Sequence, residues 1–223
     1  MSDVELLVSD DPVRLAAEHL AEAVRRGGDI ALSGGSTPRP AYELAATLAP
    51  SWGRVHVWLG DERLVPPDDP RANVRLVREV VGGLDQPPVV HPVETALPPP
   101  EAAAAYDAAL ADVELELAFQ GLGADGHTAS LFPDAPSLEE QGARVIAAPA
   151  GLEPWVDRVT MTVPFLCAAR EVIFLVLGDE KAAAARRAFG EPPSPATPGS
   201  LVRSATGRTI AILDRSAARE LST

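Results

Sequence analysis

Ile30-Ala31-Leu32-Ser33-Gly34-Gly35-Ser36-Thr37-Pro38 runs from a β-rich pattern through a glycine pair and two hydroxyls to a proline. A helical pattern follows over Pro40 to Leu48, and a second β-rich run over Val55 to Leu59. A strand, a tight glycine turn, a helix and another strand make a crossover unit, which joins parallel strands. Glycines let the backbone turn sharply and approach a ligand closely, while a helix start directs unpaired N–H groups at it. The segment therefore reads as an anion cradle, or as a plain turn with Ser36 or Thr37 as the N-cap. Its place beyond the carboxyl end of a strand favours the cradle, since ligands of open α/β sheets bind there.

The same alternation continues outward. Further strands are expected at Val89 to Val93, Leu115 to Gln120, Arg144 to Ala148, Arg158 to Val163, Glu171 to Leu177 and Thr209 to Leu213. Several are too apolar for a sheet with one wet face. Helices are expected at Asn73 to Val81, Glu101 to Leu110 and Glu180 to Phe189. The clearest helix opens at Asp11-Pro12, with Val13, Ala16, Ala17, Leu20 and Val24 on one side, and ends at Gly27-Gly28. The fold class is α/β, a largely parallel sheet flanked by helices. Pro98-Pro99-Pro100 and the stretch Pro192 to Gly199 read as surface loops, too short for linkers, so residues 1–223 are expected to form one domain.

Asp plus Glu number 32 against 19 for Lys plus Arg, a formal charge of -13, which opposes nucleic acid and anionic membranes as partners. An anionic small ligand would then need a local basic cluster. The start Met1-Ser2-Asp3-Val4-Glu5 is acidic, and no apolar run approaches the roughly 18 residues of a membrane span. The single cysteine, Cys167, lies in an apolar stretch and suits packing in a reducing, cytoplasmic setting.

Two more segments carry chemistry. Val55-His56-Val57-Trp58-Leu59 ends in Gly60-Asp61-Glu62-Arg63, which reads as a solvated turn ahead of a substrate-facing ion pair. His56 and His91 read as packed or edge residues. Gly121-Leu122-Gly123-Ala124-Asp125-Gly126-His127-Thr128-Ala129-Ser130-Leu131-Phe132-Pro133 contains a literal GxGxxG. It lies mid-chain, only a few helical residues are expected after it, and Glu139 and Glu140 fall in a loop pattern, so a dinucleotide site is disfavoured. Asp125 and His127 instead present a carboxylate and an imidazole at a strand end, a pattern suited to proton transfer near neutrality. Asp125 either orients His127 or is a turn residue. Arg158 and Lys181 are basic groups available to a phosphate, each with an ordinary surface role as its alternative.

Taken in order, Ser33 to Pro38, Gly60-Asp61-Glu62-Arg63 with Val65-Pro66-Pro67-Asp68-Asp69 and Asn73, Gly121 to Pro133, Arg158-Val159-Thr160, and Gly178 with Glu180-Lys181 resemble the 6-phosphogluconolactonase family over nearly the whole chain. Gly126 to Pro133 is the most specific string. The resemblance implies a Rossmann-like three-layer sandwich and a sugar-phosphate ligand, without a nucleotide or metal cofactor. It implies that Gly34, Gly35, Ser36, Thr37, Arg158 and Lys181 hold the phosphate, that His127 is catalytic, and that Asp61 and Arg63 lie on the sugar side. Leu117 to Gln120 and Thr209 to Asp214 depart from common family wording, and the Pro192 to Gly199 loop is unusually rich in proline.

The expected reaction is hydrolysis of 6-phospho-D-glucono-1,5-lactone by a cytoplasmic monomer or weak homo-oligomer. His127 takes the proton of the attacking water and returns it to the ring oxygen, Arg63 or loop N–H groups stabilise the oxyanion, and Asp125 assists. The rivals are a glucosamine-6-phosphate deaminase or isomerase with Asp61 as base, and a noncatalytic sugar-phosphate sensor. Thr128 to Pro133 favours the lactonase, and the chain has no room for an output module.

Overall fold

The structure is a computed structural model that describes residues 4–151 and 155–221. Met1 to Asp3, part of the acidic start, lie outside the described residues. In chain order the elements are β1 (Val4–Val8), α1 (Pro12–Arg26), β2 (Gly28–Leu32), α2 (Arg39–Leu48), β3 (Val55–Leu59), β4 (Asp61–Arg63), α3 (Asn73–Val81) and β5 (Val89–Val90). There follow α4 (Pro99–Ala109), β6 (Leu115–Gln120), β7 (Val145–Ala148), β8 (Arg158–Met161), α5 (Val163–Ala168), β9 (Glu171–Val176), α6 (Ala182–Ala185) and β10 (Arg208–Leu213).

Seven strands form one parallel sheet in the order β1-β10-β9-β6-β2-β3-β5. Its strands alternate between two cores. Ile30, Leu32, Leu117, Phe119, Ile173, Leu175, Ile210 and Ile212 pack under α1, α2 and α3. Ala31, Ala118, Val172, Phe174, Val176, Ala211 and Leu213 pack under α4, α5 and α6. A period of two with both phases apolar requires a covering layer on each face, so the central strands cannot meet water. Asp11 caps α1 by accepting from the Arg14 N–H at 3.1 Å, with Pro12 in the first turn.

From β2 the chain builds outward through β3 to β5, then returns to lay β6 on the other side of β2 and continues to β9 and β10. The order reverses between β2 and β6, and a crevice at their carboxyl ends follows from the connections leaving in opposite directions. A second, antiparallel sheet, β4-β8-β7, stands over that end.

Several expectations are corrected. Val4–Val8, to which the sequence pattern assigns no element, is a strand and an edge partner of β10. The Asp61 to Arg63 turn is strand β4, with Asp61 6% and Glu62 0% exposed. Val89 to Val93 shortens to two residues, because Pro92 offers no N–H to a ladder. The strand opening at Arg158 ends at Met161, and Pro164 helps to start α5. Pro99 and Pro100 form the first turn of α4 instead of a loop. The few helical residues expected after Gly126 are a tight turn closed by a Thr128–Leu131 bridge, with Ala129 at φ 48°, while Glu139 ends a short 3-10 turn. Glu180 to Phe189 is composite: a 3-10 turn at Asp179–Lys181, then α6, then a π-turn at Arg186–Gly190. The Pro192 to Gly199 stretch ends in buried Thr197, Pro198 and Gly199.

Candidate active site

At the crevice lies a cleft of about 210 Å³. Ser33, Gly34, Gly35 and Thr37 after β2, Asp61 and Arg63 of β4, and Asn73 at the start of α3 line one side. Gly121, Gly123, His127, Thr128 and Ala129 after β6, Arg158 of β8 and Lys181 complete it. The two walls are tied across the sheet. Ser33 Oγ donates to the Phe119 carbonyl at 2.5 Å, and the Tyr42 hydroxyl both accepts from Ser33 N–H (3.1 Å) and donates to Ser33 C=O (3.0 Å). The cradle loop therefore leaves β2 in a fixed direction.

In β4 the side chains alternate. Asp61 and Arg63 face the cleft, and Glu62 points the other way. Buried Glu62 accepts N–H groups from Arg63 (2.7 Å), Asn73 (2.8 Å) and Val74 (2.8 Å). Helix α3 has Ala72 at its cap position and no side-chain cap of its own, so Glu62 supplies the acceptor its first turn lacks. Burial pushes the Glu62 carboxyl up to about 7, against the pull of these three N–H groups.

Asp61 is fixed at both oxygens. Ser130 Oγ donates to Oδ2 at 2.6 Å, and Asn73 Nδ2 lies 3.1 Å from Oδ1 and 2.7 Å from the Asp61 carbonyl. Asn73 Oδ1 consequently turns toward Gly34, where an added Cβ would stand 1.8 Å from it. Only glycine fits there. Arg63 is the register partner of Arg158 across the β4–β8 pair. Two guanidinium groups directly opposed repel each other. Burial lowers the Arg158 guanidinium, with Arg63 acting in the same direction and Asp61 opposing. With Lys181, three cations and one carboxylate line the cleft of a chain whose net charge is -13. Arg63 Nη1 is held by the Arg71 carbonyl at 2.7 Å, and no ion pair links it to Asp61.

On the opposite wall His127 Nδ1 lies 2.6 Å from Asp125 Oδ1, and the His127 N–H donates to the same oxygen at 3.1 Å. With its proton on Nδ1 toward the carboxylate, the ring leaves Nε2 as the basic nitrogen. Burial would raise the Asp125 carboxyl, but the His127 charge and hydrogen bonds outweigh it and hold it below its ordinary value. The Phe132 ring is 5.4 Å from that of His127 and 5.6 Å from the Arg158 guanidinium carbon, so it packs beside both groups.

Of the expected site residues, Gly34, Gly35, Thr37, Asp61, Arg63, His127, Arg158 and Lys181 meet in this cleft. Ser36 instead lines an adjoining cleft with Arg39, Arg71 and Arg75, and Asp125 stands behind His127. Neither Ser36 nor Thr37 caps α2, whose N-cap is Pro38. Asn73 and Ser130 appeared in the quoted motifs without a role. No local pattern marks either one, since both act through Asp61, which lies 12 residues from Asn73 and 69 from Ser130. His56 and His91 lie away from the cleft, their ring nitrogens 2.9 Å apart. Among the described residues, no cluster of three His, Cys, Asp or Glu side chains suits a metal ion, and no helix is long and apolar enough to cross a membrane.

The model of the glucosamine-6-phosphate isomerases/6-phosphogluconolactonase family matches residues 7–211. A 6-phosphogluconolactonase of Synechocystis sp. is 40% identical, the match covering 90% of this chain and 88% of the relative. The human 6-phosphogluconolactonase is 37% identical over 86% of this chain and 80% of its own length. The crystal structure of the 6-phosphogluconolactonase of Thermotoga maritima superposes with a TM-score of 0.84 at 30% identity, covering 96% of this chain and all of that one. On the family match and these identities, the chain belongs to the glucosamine-6-phosphate isomerase/6-phosphogluconolactonase family.

Proposed function

We propose that residues 1–223 act as one cytoplasmic lactonase domain that hydrolyses 6-phospho-D-glucono-1,5-lactone to 6-phosphogluconate, a step of the oxidative pentose phosphate pathway. The observation that carries this reading is the opposition of Arg63 and Arg158 beside Lys181, facing an imidazole already hydrogen-bonded to a carboxylate. The cations call for an anionic ligand, and the imidazole supplies a base within the same cleft.

The phosphate rests on the Gly34, Gly35 and Thr37 backbone with Arg158 and Lys181 around it. Ser36, on the adjoining cleft, contributes through the shape of the turn. His127 Nε2 takes a proton from water as the water oxygen bonds to the lactone carbonyl carbon. The tetrahedral oxyanion forms beside Arg63 or the glycine-rich loop N–H groups. The ring C–O bond then breaks, the imidazolium returns its proton to the departing ring oxygen, and the new carboxylic acid ionises. Asp125 stabilises the imidazolium without touching substrate.

The deaminase or isomerase reading needs Asp61 to abstract a carbon-bound proton. Both Asp61 oxygens already accept hydrogen bonds, which favours Asp61 as counter-ion to Arg158. The test is proton release from freshly generated lactone above its spontaneous rate. Catalysis no faster than the blank, by folded protein, contradicts the proposal.

A further inference from the structure

Away from the cleft, Arg203 is buried at 6% exposure and meets no carboxylate among the described residues. Nη1 donates to the Gly199 and Val202 carbonyls, each at 2.8 Å, and Nη2 to the Ala188 carbonyl at 2.5 Å. The Phe174 and Phe189 rings flank the guanidinium at 6.0 and 5.4 Å. Burial lowers it to about 10, a measure of how poorly the site suits a cation. An apolar side chain of similar size commonly serves stability as well as a buried charge or better. A guanidinium fork bridging three carbonyls does something an apolar group cannot, which is to fix their relative positions.

Two of those carbonyls belong to segments that grip the His127 loop. Gly199, whose carbonyl accepts from Arg203, donates its own N–H to the Gly126 carbonyl at 2.9 Å. Ala188 follows Arg187, whose Nη2 lies 3.4 Å from the Ala124 and Asp125 carbonyls and whose Nε lies 3.3 Å from Thr197 Oγ1. Gly123 N–H takes the His127 carbonyl at 2.8 Å. The carbonyls of Ala124, Asp125, Gly126 and His127 thus all have donors, and three of the four trace back to segments that Arg203 fastens together. Gly126 itself sits at φ 100° with Thr197 packed where a side chain would be.

We propose that Arg203 is a positioning residue for His127, holding the Arg187 and Gly199 arms so that the Asp125–His127 pair keeps its geometry toward the cleft. The inference rests on His127 being the base of the proposed lactonase. The test compares Arg203→Met and Arg203→Lys with wild type in kcat, KM and melting temperature, and in the NMR titration of the Asp125 carboxyl. For Arg203→Met, kcat falls about 10- to 100-fold, as for a misplacement near 1 Å, with KM within about two-fold. The Asp125 midpoint rises toward the ordinary aspartate value as its contact with His127 loosens, and Arg203→Lys falls between.

A folded Arg203→Met protein with wild-type kcat and an unmoved Asp125 midpoint overturns the proposal, whatever its melting temperature. If Arg203→Met does not fold, Arg203→Lys, which keeps the charge but offers its donors from a single nitrogen in place of the planar fork, decides by the same criteria. If wild type fails to hydrolyse the lactone, the lactonase reading falls, while the Asp125 titration still decides whether Arg203 holds the loop.

Discussion

Replacing Gly34 by alanine places a methyl group where Asn73 already stands, 1.8 Å from Oδ1 and 2.2 Å from Cγ. Asn73 is 2% exposed and carries the hydrogen bonds that fix Asp61, so either the cradle loop or that asparagine must move. Overpacking of this kind costs roughly 1–3 kcal/mol, or about 2–12 °C in Tm at the 2–4 °C per kcal/mol of a chain this size. Activity should fall by at least about ten-fold, since the displaced groups are the turn proposed to hold the phosphate and the support of Asp61. Asn73→Ala alone loses the bonds to Asp61, a cost of about 1–3 kcal/mol. The double variant has no clash left to relieve, so its stability should match Asn73→Ala, a coupling of roughly 1–3 kcal/mol. Urea unfolding of the four proteins gives the cycle. Additive losses would refute the argument, because the clash would then not be the cause.

Arg158→Met and Lys181→Met should each raise KM about 10- to 100-fold with a smaller change in kcat, the loss of one charge-assisted contact to phosphate, read by initial-rate kinetics. Glu62 makes a pH prediction. Its carboxyl titrates near 7 in the folded chain against an ordinary 4.5, so between those values the folded state binds more protons than the unfolded. Its contribution is present below about pH 4.5 and is lost as pH rises through about 7, a change of up to about 3 kcal/mol. Urea titrations at pH 5 and pH 8 should show Glu62→Gln lacking this slope, and parallel wild-type and variant profiles would contradict it.

The central strands were legible because their two apolar phases leave a two-sided sheet as the only way to bury Ile30 to Leu32, Leu117 to Phe119 and Ile173 to Val176. Helix α1 was legible from its cap and stripe, and α3 from its period. Strand β1 was not, since Val4–Val8 is an edge strand whose exposed side chains blur the alternation. Nor was β4, because Asp61-Glu62-Arg63 reads as a solvated run until Glu62 is seen to cap α3 from eleven residues away, a long-range contact no local pattern encodes. The cradle and the Asp125–His127 pair were visible as strand-end loops, but their meeting in one cleft follows from the strand order β6-β2. Asn73 and Ser130 act through the distant Asp61, and Arg203 through backbone carbonyls that no side-chain pattern marks, so their roles appear only once the chain is folded.

The measurement that bears most directly on the account is hydrolysis of enzymatically generated 6-phosphogluconolactone by wild type, His127→Ala and Asp125→Asn, read as proton release over the spontaneous rate. The account predicts strong acceleration by wild type, a loss of about 100- to 10,000-fold in folded His127→Ala, the usual contribution of a general base, and a smaller loss in Asp125→Asn with KM little changed. Acceleration that survives in His127→Ala would contradict it and move the base to another group of the cleft.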